Sequence, residues 1–356
     1  SLLWDASSAA PVGNPLTPAT RVSAFAFSPD GKRLATALEE KAVQIWNVPT
    51  GRSTVPPLPH ARVWVVAFSA DGLRLVTGSK AKNGTAQVWD AASGNPIAKE
   101  IHPTEGDVAS VAFSPDGRRF ATASDNVAHI WDVMTGKPIG DPMEHGNLVR
   151  SVAFSPDGKY LLTASLDHHA QIWDAATGAK FGSPFSHDDQ VFSAVYNHDG
   201  TRVLTASADF SAQVWDAATR EPVGNRLRHS GKGVRFASFS PDGLRVVTAS
   251  LDHTARIWDV ATGRPLGQPL RHADEVQVAR FSPDGRRVVS AGSDGTARVW
   301  DVLIDSDSPA DSELLINFIE VIGGATVTEN GTVVPLKNRA EKLQSLRKRA
   351  ADLRPD

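Results

Sequence analysis

The chain has 356 residues, of which 41% are hydrophobic and 22% charged, and its formal net charge at pH 7 is −3. That charge argues against general nucleic-acid binding, which needs a strongly basic surface. No apolar run approaches the ~18 residues of a membrane-spanning helix. The chain contains no cysteine, which excludes disulfides and thiolate metal sites.

A unit of 42 or 43 residues is repeated along the chain, and a tryptophan marks the end of each copy. All but one of these tryptophans are followed by aspartate, and together they bracket seven complete repeats. They are Trp4, Trp46, Trp89, Trp131, Trp173, Trp215, Trp258 and Trp300. Periods of this length are typical of folds built from stacked or radially arranged units.

Each repeat predicts four short strands and no helix. In order it contains a segment such as "GQPLRH", a run such as "VRSVAFS", a turn such as "SPDGKY", and the runs "LLTAS" and "AQIWD". The runs are rich in Val, Ile, Phe and Thr, which favour strands. Proline presets one torsion of the turn, and glycine accepts the left-handed geometry that closes the hairpin. One such unit cannot bury both of its faces, whereas seven arranged radially can.

The Trp-Asp pairs, the "FSPDG" turns and the single histidine ahead of each first strand resemble the WD-repeat family of β-propellers. The resemblance covers residues 1 to about 301. It implies an all-β fold, a seven-bladed β-propeller of four-stranded antiparallel blades. The near-identical repeats resemble bacterial sequences, and we expect a cytoplasmic protein. Because the chain opens in mid-repeat with "SLLWDA", we expect it to be part of a larger protein with further domains.

The resemblance also implies that four residues of each repeat form a buried hydrogen-bonded chain from Trp to Ser/Thr to His to Asp. The sets are His102, Thr122, Asp125 and Trp131; His145, Thr163, Asp167 and Trp173; His187, Thr205, Asp209 and Trp215; His229, Thr248, Asp252 and Trp258; and His272, Ser290, Asp294 and Trp300. The alternative is a Ser/Thr-His-Asp hydrolase. Five near-identical copies favour a structural role, so we predict no catalytic residues.

The cluster "LDHH" raises the alternative of a metal site at Asp167, His168 and His169. Neighbouring side chains on a strand or tight turn diverge, and no further ligand is evident, so exposed turn histidines are favoured. The "PDG" aspartates occur singly in each turn and are interpreted as turn formers instead of calcium ligands. We therefore predict neither a metal nor a cofactor.

Repeats one and two depart from the pattern. Repeat one has Pro18 at the histidine position and Glu40 at the aspartate position. Repeat two keeps His60 and Thr77, but it has Asn83 in a turn lengthened by "KAKNG". We expect incomplete hydrogen-bonded chains there, and these two blades to be the looser ones.

The two ends of the chain predict the closure of the ring and a C-terminal appendage. No outer-strand segment comes after Trp300, and residues 7–16, "SSAAPVGNPL", supply a spare one that we expect to complete the last blade. Residues 302–356 predict a small α/β appendage. It consists of a helix from Ser308-Pro309, a hairpin at Asn330-Gly331, and a basic helix that either packs on the propeller or docks another chain.

Function is sought where the repeats differ. The position after the valine that opens each first strand varies most, and in the family this region contacts partner peptides. The predicted partner-binding residues are Trp64, Arg150, Phe192, Arg235, Arg62 and Gln277. Trp, Phe and Arg dominate interface energies, although these side chains could also merely fill the channel mouth. The leading hypothesis is a non-catalytic interaction platform for a protein or peptide partner. The alternatives are a structural subunit of a stable assembly and an enzyme at the channel mouth.

Overall fold

The computed structural model describes residues 22–38, 42–80, 83–104, 106–302, 325–327 and 333–335. The chain divides into two units, residues 1–301 and 302–356. The expected closing strand at 7–16, the residues Pro18 and Glu40, and both appendage helices lie outside the described residues, so those expectations stay predictions.

The first unit is a seven-bladed β-propeller of antiparallel sheets. Within each blade the strands pair in chain order, and the first strand of one blade packs beside the first strand of the next. The first strands therefore line the channel. They are β1 (Val22–Phe27), β5 (Val63–Phe68), β8 (Val108–Phe113), β12 (Val149–Phe154), β16 (Val191–Tyr196), β20 (Val234–Phe239) and β24 (Val276–Phe281).

The second and third strands of each blade carry the most buried residues, because both of their faces meet neighbouring blades. The second strands are β2 (Arg33–Leu38), β6 (Arg74–Ser79), β9 (Arg119–Ser124), β13 (Tyr160–Ser165), β17 (Arg202–Ser207), β21 (Arg245–Ser250) and β25 (Arg287–Gly292). The third strands are β3 (Ala42–Asn47), β7 (Ala86–Asp90), β10 (Val127–Asp132), β14 (His169–Asp174), β18 (Ser211–Asp216), β22 (Thr254–Asp259) and β26 (Ala297–Asp301).

The outer edge of the ring is less regular than its centre. The fourth strands are β4 (Arg52–Ser53), β11 (Pro138–Glu144), β15 (Phe185–Ser186), β19 (Pro222–Arg228) and β23 (Pro265–Arg271). In blade 2 two isolated bridges, Ala86 to Ile101 and Trp89 to Pro96, stand in the fourth-strand position. Blade 7 has three strands among the described residues.

The "SPDG" turns join the first strand to the second, and blade 3 shows why this sequence is used. The Ser114 hydroxyl donates to the carboxylate of Asp116 at 2.5 Å, and the Gly117 amide donates to the Ser114 carbonyl at 2.9 Å. Gly117 has φ of 66°, a conformation that glycine adopts without steric cost. The turn thus satisfies its own polar groups and fixes the register of the hairpin.

The second unit contributes two described strands, β27 (Ala325–Val327) and β28 (Val333–Pro335), which pair antiparallel. They flank the predicted turn at Asn330-Gly331, and the turn itself lies outside the described residues.

Candidate functional site

Blades 4 to 7 each bring their predicted four residues together. In blade 5, Trp215 Nε1 donates to Thr205 Oγ1 at 2.8 Å, and the two ring nitrogens of His187 lie 2.7 Å from Thr205 Oγ1 and from Asp209 Oδ2. The sets of His145, His229 and His272 repeat this arrangement, with contacts of 2.7 to 3.1 Å.

The chemistry of the partners gives each hydrogen-bonded chain a direction, from donor to acceptor. A carboxylate only accepts hydrogen bonds, so His187 Nδ1 carries its proton toward Asp209. In the neutral ring Nε2 then accepts from the threonine hydroxyl, which accepts in turn from the indole N–H. Each member is satisfied inside its own blade. Because the members of each set bond to one another, the arrangement supports a structural role and not the binding of a substrate.

The carboxylates of these sets are held ionised. Burial acts to raise the pKa of Asp209, but the hydrogen bonds from His187 and Ser211 outweigh it, so that the pKa lies far below its usual range. The same balance of burial against a histidine hydrogen bond lowers the pKa of Asp167 and of Asp252. For Asp294 the hydrogen bond from Thr296 is the largest contribution, and its pKa is lowered as well.

In blade 3 the predicted set of His102, Thr122, Asp125 and Trp131 is wrong in one member, His102. Trp131 Nε1 does donate to Thr122 Oγ1 at 2.9 Å, but His102 is exposed, and Thr104 Oγ1 donates to Asp125 at 2.9 Å instead. The reason is spacing. Thr104 lies four residues before the opening Val108, as His145, His187 and His272 lie before theirs, whereas His102 lies six residues before it.

Blades 1 and 2 are expected from the sequence to hold incomplete chains. In blade 1, Trp46 Nε1 donates to Thr36 Oγ1 at 2.8 Å. Blade 2 is more complete than expected, because His60 contacts Thr77 Oγ1 at 2.6 Å and Thr85 Oγ1 at 2.9 Å. The hydroxyl of Thr85, and not Asn83, stands in for the carboxylate. Burial lowers the pKa of His60, which keeps its ring neutral.

The cluster Asp167, His168 and His169 is divided among different partners. Asp167 is bonded to His145, His168 lies 4.0 Å from Asp189, and His169 Nδ1 lies 3.2 Å from Ser186 Oγ. Within the described ranges no group of three His, Cys, Asp or Glu side chains has the geometry to hold a metal ion.

The channel contains a pocket of about 420 Å³ that gathers four of the six predicted partner-binding residues. Arg150, Phe192, Arg235 and Gln277 line it, and they come from blades 4, 5, 6 and 7. Its lining does not include the other two. Trp64 is exposed, with Lys80 Nζ 4.5 Å from the centre of its ring, and Arg62 is exposed beside it.

Two further residues, Phe236 and Arg280, line this pocket and are not among the predicted ones. Arg280 is the fifth residue of its first strand, where the other six repeats have Ala, Val or Ser. Phe236 is the third residue of its strand, where the other six have Ala, Val or Ser. A comparison of only the second position of each first strand misses both residues. A comparison of every position of these strands between repeats finds them.

The arginines stack on the aromatic rings of the preceding blades. The guanidinium of Arg235 lies 5.0 Å from the centre of the Phe192 ring, and that of Arg280 lies 4.8 Å from the centre of the Phe236 ring. Desolvation lowers the pKa of Arg235, and the nearby charge of Arg150 lowers it further, whereas the charge of Glu275 acts to raise it. Desolvation by the channel walls also lowers the pKa of Arg280, although its side chain is exposed in the channel. Because three cations line the pocket, it favours an anionic ligand.

No helix within the described part of the chain is long and apolar enough to span a membrane.

Comparison with known protein families matches all seven repeats. The family described as WD domain, G-beta repeat matches residues 15–47, 55–90, 95–132, 136–174, 180–216, 221–259 and 263–301. Each matched segment ends at the residue after a repeat tryptophan.

Curated relatives match parts of the propeller. A 64-residue stretch is 38% identical to a guanine nucleotide-binding protein subunit beta of Arabidopsis thaliana and covers 18% of this chain and 17% of that protein. A 122-residue stretch is 30% identical to the protein of the same name from Oryza sativa subsp. indica and covers 32% of each. The Zea mays protein of that name is 29% identical over 122 residues. The chain thus spans a third or less of the length of these relatives.

Proposed function

Because the chain belongs to the WD-repeat family of β-propellers, we propose that it is a non-catalytic protein–protein interaction platform that binds a partner peptide at the mouth of its channel. The observation that carries the proposal is the channel pocket, whose lining includes Arg150, Arg235 and Arg280. WD-repeat propellers typically serve as interaction modules, and the variable positions of this one lie at the channel.

The chemistry of the pocket defines the class of peptide. Three guanidinium groups supply donors for a carboxylate or phosphate, and Arg forms bidentate hydrogen bonds with both. The rings of Phe192 and Phe236 supply apolar surface on either side of that charge. We therefore propose an extended peptide with one anionic group flanked by apolar side chains. Trp64, on the other side of the mouth, adds a further aromatic contact for a longer segment.

An enzymatic function is disfavoured by the same residues. General acid–base or metal-assisted chemistry needs a carboxylate, histidine or equivalent group. The described residues that line the channel pocket include neither a carboxylate nor a histidine, and the neighbouring carboxylate of Glu275 accepts a hydrogen bond from Gln277 at 3.3 Å.

A second candidate is a structural subunit fixed in a stable assembly. The names of the relatives favour it, since each is called a subunit beta. A complex of constant stoichiometry that survives size-exclusion chromatography would support this role, whereas exchange of the partner on dilution would support transient peptide binding.

The test is affinity capture of a partner, followed by its titration against variants of the channel. Truncating Arg235 or Trp64 to Ala should weaken binding by roughly 1–4 kcal/mol, the range for interface residues of these types. The control is Asp116→Ala in the blade 3 turn, at the opposite end of the strands, which should leave the affinity unchanged. If the affinity is indifferent to Trp64, Arg150, Phe192 and Arg235, the partner binds elsewhere and the proposal fails.

A further inference from the structure

In blades 1, 2 and 3 the arginine that opens the second strand donates a hydrogen bond to a carbonyl of the next blade. Arg33 Nη2 of blade 1 donates to the carbonyl of the blade 2 turn glycine, Gly72, at 2.7 Å. Arg119 Nη2 of blade 3 does the same to Gly158 of blade 4 at 2.6 Å. The guanidinium of Arg119 also lies 5.7 Å from the centre of the Phe154 ring. Arg33 and Arg119 thus each fill a site on the next blade that offers a carbonyl and an aromatic ring.

Between blades 4 and 5 this arginine is missing. Six repeats have Arg at the position, and repeat four has Tyr160. The ring of Tyr160 packs on Phe181 of its own blade, with 4.5 Å between ring centres. A pocket of about 480 Å³ opens where the guanidinium of the other repeats would lie, and Tyr160, Tyr196, Gly200 and Ala217 are among its lining residues.

The pocket keeps the acceptors that the repeat arginine uses elsewhere. Gly200 and Ala217 of blade 5 align with Gly158 and Ala175 of blade 4. Those two blade 4 carbonyls accept hydrogen bonds from Arg119 at 2.6 and 3.2 Å. Their counterparts in blade 5 line the open pocket.

The aromatic wall of the pocket is also altered. Tyr196 stands where the other six repeats have Phe. Its hydroxyl is buried and has no hydrogen-bond partner among the described residues. Burial raises the pKa of this phenol, so it stays neutral and can accept or donate one hydrogen bond. A buried polar group without a partner is costly, and an occupant with N–H donors would remove that cost.

The charged side chains of the pocket lining are carboxylates. Asp157, Asp199 and Asp216 line it, and hydrogen bonds from their own turns lower the pKa of each of them. Three cations lie around the pocket and balance these charges: Lys159 Nζ is 3.5 Å from Asp157, Arg202 acts on Asp199, and Arg220 Nη2 donates to the Phe181 carbonyl at 2.8 Å. Among the described residues that line the pocket itself there are carboxylates and no cation, so an entering guanidinium would meet acceptors.

We propose that this pocket binds the arginine side chain of a partner protein, whose guanidinium takes the place that the repeat arginine occupies between other blades. A planar group with five N–H donors fits two carbonyls, a phenol and an aromatic face, and Arg favours such stacked sites over Lys. The pocket lies at the end of the strands opposite to Arg150, so this site does not depend on the proposed channel function.

The probe is N-acetyl-L-argininamide, titrated into the ¹⁵N-labelled full chain and followed by NMR. We expect saturable shifts of the amides of Gly200, Thr201, Ala217 and Ala218. The matched probe is N-acetyl-L-citrullinamide, which has nearly the same shape without the charge. It should bind about tenfold more weakly, because charge-assisted hydrogen bonds are roughly twice as strong as neutral ones.

Two variants distinguish binding in this pocket from binding elsewhere on the propeller. Tyr160→Arg restores the residue of the other six repeats, fills the pocket from within, and should abolish the shifts. Tyr160→Phe keeps the ring that packs on Phe181 and should leave them. Should Tyr160→Arg not fold, Tyr196→Phe provides a second test, since it removes the unpartnered hydroxyl and should weaken binding several-fold.

Three outcomes would overturn the proposal: no saturable shift at these amides, equal affinity for the citrulline probe, or undiminished binding by a folded Tyr160→Arg protein. Binding to the channel is measured separately with Arg235→Ala, so failure at one site is distinguishable from failure at the other.

Discussion

Blades 5 and 7 hold the same hydrogen-bonded set but differ in how far their flat faces are buried. In both blades the tryptophan and histidine contact the hydroxyl at 2.7 or 2.8 Å. The equivalent cross-strand pairs are Leu204 with Val214 and Val289 with Val299. The first pair is 1% and 1% exposed, whereas the second is 40% and 46% exposed.

This difference in exposure shows that a single repeat can form the hydrogen-bonded chain, whereas burial of the flat face depends on the neighbouring blade. The hydrogen-bonded chain joins residues of a single repeat, so blade 7 forms it as well as blade 5 does. Burial of the flat face requires the next blade. The same feature is found in blade 1, where Phe25 is 66% exposed and its counterpart Val66 in blade 2 is 7% exposed. Ring closure is therefore the step on which blades 1 and 7 depend most.

The largest predicted effect comes from removing residues 1–16. The sequence predicts that residues 7–16 supply the fourth strand of blade 7, so their loss would leave the edge of β26, the third strand of that blade, unpaired. Exposed strand edges and apolar faces promote aggregation. We expect a chain lacking these residues to aggregate or to melt at a far lower temperature, as measured by calorimetry and light scattering.

A soluble truncated chain with an unchanged melting temperature would contradict this view of closure. The segment after Trp300 would then have to supply the outer strand, and the ring could hold eight blades.

The second effect compares two repeat histidines that the sequence alone treats alike. His187→Ala should cost roughly 3–5 kcal/mol, because it leaves a cavity and removes one partner of a buried pair. His102→Ala should cost less than about 0.5 kcal/mol, as is usual for an exposed residue. Urea denaturation of the two variants measures both free energies of unfolding. Equal losses would mean that the hydrogen-bonded chain does not stabilise blade 5.

The repeat pattern predicted the fold because every repeat carries the same strand and turn signals. The eight tryptophans, which bracket seven repeats, and the Asp-Gly turns predicted the number of blades and the strand order within each. The prediction was wrong at His102, because that side chain is exposed six residues before the opening valine and Thr104, two residues later, bonds to Asp125 instead. The hydroxyl of Thr85 was also missed in blade 2, since an insertion in the turn changes which side chain reaches the ring.

The candidate sites were less predictable, because each depends on side chains from several blades. Arg280 and Tyr160 are visible in the sequence as single departures from the repeat. Their consequences are not visible there, since stacking of Arg280 on Phe236 and packing of Tyr160 on Phe181 depend on side-chain directions across two elements. A residue that departs from the repeat thus indicates a candidate site, and the geometry around it indicates what that site can bind.

The third effect uses one substitution at two equivalent positions. Val214→Ala removes two buried methyl groups and should cost about 2 kcal/mol by burial alone. Val299→Ala, at an exposed position, should cost less than half as much. Thermal melts of the two proteins measure the difference. An equal loss at Val299 would show that in solution blade 7 is covered as fully as blade 5, and that the ring is closed there.

The smallest effect is the dependence of stability on pH. The pKa of Asp209 is lower in the folded protein than in the unfolded chain, so its contribution is present above about pH 4 and is lost as the pH falls below that value. The slope from one such group is at most about 1.4 kcal/mol per pH unit. Asp209→Asn should therefore lower the free energy of unfolding at pH 7 and reduce its slope between about pH 4 and pH 2. Asp141→Asn is the control, because Asp141 is exposed and lies away from this set, and it should keep the slope of the parent protein. Urea titrations at several pH values give these slopes, and a slope unchanged by Asp209→Asn would mean that the carboxylate of blade 5 is not held ionised by its histidine.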